Sequence, residues 1–433
     1  MPPTQCMASN SETAKNAFRN YSKRFFIHPL TQNVELPEAE AYVVIPCYAE
    51  EELLKTLESL RTCDSPKSRF CILVVVNDKL TDHVDLKLIS DQNIKACENF
   101  RTQTLPFNFV WIDARNQNDK NAGVGLARKI GMDAVILNCQ TNGQNPALIC
   151  LDADSLVSKD YFLKIESEFL NHNADVAVFE FDHNRSNDLE PKLQSGILQY
   201  ELFLEYYRLG LKFAAYPFSF HTVGSSMACK AVAYAQHGGM NQRKAGEDFY
   251  FLHKLFPHFE TIEIEGPMVF PSARISNRVP FGTGRFQEKW VGSHAIVYET
   301  YHPEVFSILK IFLKQSLYLL ENQDQTFEST FSTFESAHRL AASFLSTFNV
   351  EQNMLKILKS SPKIEKRRKA YFQWFDGLLV LKLVHFFNTD FPNVPVSSAI
   401  KILAPVLSEF SSDFELKFAL RNYMKALPSK ATL

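Results

Sequence analysis

The chain has 433 residues, 45% hydrophobic and 22% charged, with a formal net charge of -2 at pH 7. A chain of this length holds roughly two or three domains with sizeable cores, and this balance excludes a disordered or low-complexity protein. The near-neutral charge argues against general nucleic-acid binding.

Eight cysteines are scattered without a Cys-x-x-Cys pair or a Cys/His zinc spacing. Cys47, Cys71 and Cys150 sit in apolar, strand-like runs, as expected of buried thiols in a reducing compartment. The N-terminus lacks a charged-then-apolar signal pattern. No run reaches the ~18 apolar residues that span a bilayer. The nearest, Trp374 to Phe387, contains Asp376 and Lys382. These features lead us to expect a cytoplasmic protein.

Residues 1–39 carry Phe18, Tyr21, Phe25 and Phe26 among Lys and Arg, and are expected to pack as an extension on the main domain. Ala41 to Pro46 reads as a buried strand, and Leu53, Leu54, Leu57 and Leu60 then follow at helical spacing. Phe70 to Val76 and Phe107 to Ile112 are further strands, separated by a polar helix over about 81–99. Asn121-Ala-Gly-Val-Gly125 leads into a helix from Leu126 to Leu137. Leu148 to Leu151 is a strand, followed by a helix over 160–170 and a strand over Asp175 to Phe179. Such alternation implies a doubly wound α/β sheet, whose ligands bind at the carboxyl ends of the strands.

Those ends collect polar and acidic residues: Tyr48 and Glu50, Asn77 and Asp78, Asp152 and Asp154. Like charges at one sheet edge are unfavourable unless a cation offsets them. Asp152 and Asp154 close an apolar strand one small residue apart, a pair of hard oxygen ligands suited to Mg2+ or Mn2+. The same pattern also suits a helix cap at Asp154 with Asp152 solvated.

A long amphipathic helix is expected over 191–210, a compact Gly/Ser segment over 221–227, and a helix from Ala228 to Gln236 stopped by Gly238-Gly239. Glu247 and Asp248 open the helix to Phe256, where the helix dipole alone favours negative charge. Ile262 to Ile264 and Met268 to Phe270 read as short strands. Pro271 to Trp290 reads as a loop bearing Arg274, Arg278, Arg285 and Lys289, able to close over phosphates or to serve as a solvated connector. From about residue 299 the sequence reads as all-helical and Phe-rich, with a surface that could touch a membrane.

Taken together, Val44-Ile-Pro-Cys-Tyr48-Ala-Glu50, Val76-Asn-Asp78, Asn121-x-Gly123-x-x-x-Ala127-Arg128, Leu151-Asp-Ala-Asp154 and Gly239 through Gly246-Glu-Asp248 occur in order. The series resembles the family-2 glycosyltransferases of GT-A fold, over roughly residues 40–295. The resemblance implies a GT-A domain over 40–298 and a helical C-terminal region over 299–433. It implies that Pro46, Tyr48, Glu50, Asn77, Asp78, Gly123 and Arg128 line the nucleotide pocket. Asp152, Ala153 and Asp154 would hold the ribose and a Mn2+ or Mg2+ ion on the diphosphate. Independently of the resemblance, Arg278 or Arg285 of the basic loop could add charge-assisted hydrogen bonds after loop closure. Asp248, beside Glu247, would be the general base for a carbohydrate or lipid-linked acceptor. Inversion at the anomeric centre is expected.

The chain departs from the family at Asn77-Asp78-Lys79, where two aspartates are usual, and at Lys129, where Asn is usual. Phe286-Gln-Glu-Lys289-Trp290 lacks the register and the Arg of the processive motif. The remaining alternatives are a non-catalytic sugar-nucleotide or glycan-binding module on the same fold, and a retaining transferase.

Overall fold

The structure, a computed structural model, describes residues 3–32, 34–119, 122–185, 189–243, 245–276, 282–322 and 324–427. The chain divides into two compact units, one of Met1–Asn187 with Thr222–Gly282, the other of Asp188–His221 with Thr283–Leu433.

The strands of the first unit are β1 Ala41–Cys47, β2 Phe70–Lys79, β3 Asn108–Gln117, β4 Ala147–Cys150, β5 Leu156–Val157, β6 Val176–Phe181, β7 Met227–Lys230 and β8 Thr261–Phe270. The helices in chain order are α1 Pro3–Arg24, α2 Leu53–Arg61, α3 Val84–Arg101, α4 Val124–Asn142, α5 Tyr161–Ile165, α6 Pro191–Phe213, α7 Ala231–Gln236, α8 Glu247–Leu255, α9 Thr283–Val291 and α10 Glu304–Glu321, with further helices to Asp413–Ala426.

The fold is α/β, followed by a helical C-terminal region. Among the described residues the main sheet has eight strands, in the order β3-β2-β1-β4-β7-β6-β8-β5. β3, β2, β1 and β4 run parallel. Every residue of β1 is buried, as is β2 up to Asp78, so their sequences show continuous apolar runs rather than alternation. Helix α4 packs on β1 and β2, and α3 on β2 and β3. This parallel half leaves the carboxyl ends of β1, β2 and β4 on one edge.

The sequence reading needs correcting in three places. Met227–Lys230 is a strand, antiparallel to both β4 and β6, whereas its residues were expected to straddle a Gly/Ser segment and a helix. Four residues carry too little periodicity to reveal a strand, and pairing on both sides decides its conformation. The sheet is therefore mixed. The two short strands expected at 262–270 are one, β8, which passes Gly266 and shifts register against β6 between Phe179 and Phe181. Finally, the expected loop over 271–290 ends in helix α9, which contains Arg285 and Lys289.

The N-terminal segment packs as expected. Tyr21 of α1 is buried and donates to Asp133 of α4 at 2.7 Å, while Tyr234 of α7 donates to the same oxygen at 2.8 Å. Lys129 pairs with Asp133 at 2.8 Å. The departure from Asn at position 129 thus has a structural use, since Lys129 neutralises a carboxylate buried among tyrosines.

In the second unit, Phe306, Phe312, Phe344, Phe375, Val384 and Phe387 share one apolar core. The aromatic stripes of this region are core, with ring pairs such as Phe312 and Phe375 at 4.8 Å between centroids. Buried ion pairs join α6 to the helix Asp413–Ala426: Lys417 to Glu201 at 2.9 Å, and Arg421 Nε to Glu205 at 2.6 Å. No helix among the described residues is long and apolar enough to cross a membrane.

Candidate active site

Strand β4 ends at Cys150, and the chain then turns at Asp152-Ala153-Asp154. Ser155 N donates to the Asp152 carbonyl at 3.1 Å, closing the turn. Ala153 is buried, and its carbonyl accepts from the Thr56 hydroxyl of α2 at 2.8 Å. A pinned backbone therefore presents two carboxylates, with the Asp152 side chain 37% exposed and that of Asp154 24%.

Arg128, in the second turn of α4, has its side chain only 2% exposed. It donates through Nη2 to Asp152 and through Nη1 to Glu247. Gly224 lies against its guanidinium, and a Cβ there would stand 2.5 Å from Nη2 and 2.7 Å from Nη1. Gly224 therefore keeps Arg128 between its two partners. The chain reaches Glu247 through Gly246, whose φ of 69° is left-handed and costs glycine little. That bend starts α8 with Glu247 buried against Arg128 and Asp248 half-buried beside it. Asp248 Oδ1 accepts from the Phe249 backbone N–H at 2.7 Å.

The electrostatics follow from this burial. Desolvation pushes Glu247 up to about 7, against the pull of Arg128, with Asp248 adding to the rise. Desolvation likewise raises Asp248, again opposed by Arg128. Burial opposes the charge on Arg128, but Asp152 and Glu247 more than restore it. The result is a carboxyl pair of raised proton affinity, held by a permanently charged guanidinium.

A second arginine sits on the other side of the turn. Arg274, just past β8, donates through Nη2 to Glu50 and, at 3.2 Å, to Asp154 Oδ2. Its Nη1 lies 3.9 Å from Glu52. Glu50 is 2% exposed and follows Ala49, whose left-handed φ of 43° marks a strained turn after β1. In the sequence Arg274 is one of four basic residues of a loop, and nothing there marks its partners. Gly224 was missed too, although the compact Gly/Ser segment around it was a signal.

The remaining expected residues are distributed as follows. Pro46 lies within β1, paired with Val75, rather than ending the strand, which runs on to Cys47. Tyr48 donates to Asp82 at 2.8 Å. Asp78 is buried and accepts from the Asn116 backbone N–H at 2.6 Å, holding a left-handed turn at the end of β3. Asn77 is 1% exposed, and neither end of its amide has a hydrogen-bond partner among the described residues. Gly123 is the N-cap of α4 in extended conformation. Arg278 lies outside the described residues. Arg285 belongs to the second unit, where it pairs with Glu288 within α9. His221, at the start of the Gly/Ser segment, faces Glu205 at 3.3 Å in the second unit.

Among the described residues, no three acidic, His or Cys side chains converge as a ready-made ion cage. The donor set nonetheless fits Mg2+ or Mn2+ shared with a ligand. Such ions use one or two carboxylates and complete their shell with water and phosphate oxygens. Here the part-exposed Asp152 and Asp154 follow β4, in a cluster of six carboxylates where Arg128 pairs with Asp152 and Glu247, Arg274 reaches Glu50, Glu52 and Asp154, and Lys55 pairs with Glu52. An excess of carboxylates in one place favours added positive charge.

No protein-family model matches the chain, and no curated protein matches it. Solved structures do align with it. TarS of S. aureus, residues 1–349 in complex with UDP-GlcNAc, is 14% identical, with 89% of this chain and 91% of that one covered at a TM-score of 0.37. Mannosyltransferase PcManGT from Pyrobaculum calidifontis, in complex with GDP-Man and Mn2+, is 12% identical, with 96% and 93% covered at a TM-score of 0.36. Likenesses this distant lend none of those activities to the present chain.

Proposed function

We propose that this protein is a GT-A glycosyltransferase that moves a sugar from a nucleotide-diphosphate sugar to a hydroxyl acceptor, a glycan or lipid-linked saccharide, with inversion at the anomeric carbon. The observation that carries this reading is the bridge made by Arg128 between Asp152 and Glu247. It ties the carboxylates after β4, suited to a donor's diphosphate, to the carboxyl pair suited to acceptor activation. A structural ion pair alone would not need Asp248 beside it, half-buried and of raised proton affinity.

In this mechanism Asp152 and Asp154 would hold a Mn2+ or Mg2+ ion, which offsets charge on the departing diphosphate. At about 4 Å and an effective dielectric of about 20, one pair of unit charges interacts by about 4 kcal/mol, so leaving-group neutralisation is a large term. Asp248 takes the acceptor hydroxyl proton as the acceptor oxygen bonds the anomeric carbon. The bond from that carbon to the diphosphate oxygen breaks on the opposite face, and the nucleoside diphosphate leaves with the electron pair. Raised proton affinity lets Asp248 accept the proton near neutral pH. Tyr48, just past the end of β1, and Asn77 and Asp78, near the carboxyl end of β2, would border the nucleoside.

The test is sugar transfer from a panel of nucleotide sugars with Mn2+, followed by NMR of the product anomer. Transfer with inversion, lost in Asp248→Asn while donor binding persists, supports the reading. Near wild-type turnover by Asp248→Asn overturns the base assignment, and a retained anomer overturns inversion.

A further inference from the structure

The two arginines of the site are held differently. Arg128 is enclosed, its side chain 2% exposed and backed by Gly224. Arg274 has its side chain 31% exposed, and spans Glu50, Glu52 and Asp154 from a segment just past the end of β8. Its backbone N–H is bonded to the Ser272 hydroxyl at a long 3.4 Å. The atom it shares with Asp154 is Oδ2, one of the oxygens a divalent ion would use. Guanidinium and metal ion cannot occupy the same lone pair at full strength.

We propose that Arg274 is a built-in counter-ion that holds the cation's place at Asp154 and Glu50, and yields it when a diphosphate takes its guanidinium. The proposal rests on the glycosyltransferase reading above and adds a rule for how the site loads. Without a diphosphate, a metal ion must displace Arg274 into water and leave Glu50, 2% exposed, without that partner. With a diphosphate present, the planar fork of Arg274 finds oxyanion acceptors in bidentate geometry. Asp154 is then released to the cation. Metal and diphosphate therefore bind with positive coupling, which linkage makes reciprocal.

The experiment uses the full chain, with Mn2+ alone, inorganic pyrophosphate alone, and both together, in isothermal titration calorimetry. Wild-type protein should bind Mn2+ at least about tenfold more tightly when pyrophosphate is saturating. Arg274→Met should bind Mn2+ alone about fivefold or more tighter than wild type, bind pyrophosphate more weakly, and lose most of the coupling. Arg274→Lys keeps the charge without the fork, and should keep weak Mn2+ binding while losing coupling; it also serves if Arg274→Met fails to fold by circular dichroism. Unchanged Mn2+ affinity and unchanged coupling in both variants would overturn the proposal. Asp154→Asn separates this outcome from failure of the underlying reading. If wild type binds neither probe and Asp154→Asn changes nothing, the glycosyltransferase site itself falls, and the counter-ion with it.

Discussion

Arg128 and Glu247 lie 119 positions apart in sequence and share a buried ion pair. The pair closes the distance between two motifs that look independent along the chain. Removing Arg128 leaves Glu247 buried without its counter-charge, to be carried either ionised or with a proton taken up, at a cost of up to about 3–5 kcal/mol. Arg128→Met should therefore lower the urea-unfolding free energy by about that much. Adding Glu247→Gln to it should restore part of the loss. A double variant no more stable than the single one would show that the pair is not coupled.

Gly224→Ala tests the same guanidinium from behind. The new methyl would stand 2.5 Å from Arg128 Nη2, so the side chain has to shift from Asp152, Glu247 or both. Overpacking of this kind costs about 1–3 kcal/mol. Donor affinity should fall alongside, since Asp152 would lose its partner; calorimetry of nucleotide-sugar binding, with thermal unfolding in parallel, checks both.

The carboxyl pair predicts a pH dependence with a defined sign. A base must be deprotonated to act, so kcat/KM should rise as pH passes through about 7, the value to which burial pushes Glu247. The apparent value belongs to Glu247 and Asp248 together. Glu247→Gln should move the acid limb downward. Stability runs the other way. The folded protein keeps a proton at Glu247 that the unfolded chain releases above about 4.3, so folding weakens as pH climbs from there toward about 7 and levels off beyond. Melting temperatures of wild type relative to Glu247→Gln across that range would reveal the slope.

In the second unit, Glu205 is buried among His221, Arg208 and Arg421. Burial alone would raise its proton affinity, but the charge and hydrogen bond of His221, with the two arginines, hold it well below the usual carboxylate range. Its contribution is thus complete above the unfolded value of about 4.3 and is lost as pH falls below it. Glu205→Gln should destabilise the chain by about 3–5 kcal/mol at pH 7, with a deficit that shrinks on acidification. A deficit that grows instead would contradict this.

The parallel half of the sheet was legible because β1, β2 and β4 are continuous apolar runs that end in polar residues. Strand β7 was not, since four residues pairing on both sides show no period of their own. Asp152, Asp154, Glu247 and Asp248 were visible as motifs because acidic side chains at element ends stand out. The arginines that neutralise them were less visible: Arg128 stood in a motif, but its link to Glu247 is a long-range contact. Arg274 looked like any basic residue of a loop, because ion-pair partners leave no periodic trace. The segment around Arg285, expected as a loop, forms α9 from Thr283.

On the proposed function, a cation and a nucleotide diphosphate meet at the turn after β4. Thermal unfolding of wild type and Asp154→Asn, with Mn2+ and a nucleotide-diphosphate sugar added singly and together, tests it most directly. A ligand at about 100 times its dissociation constant stabilises by about 2.7 kcal/mol, a shift readily seen in this assay. The melting temperature of wild type should rise with both additions, and that rise should be lost in Asp154→Asn. An equal rise in the two proteins, or no rise in wild type with any donor of the panel, would contradict it.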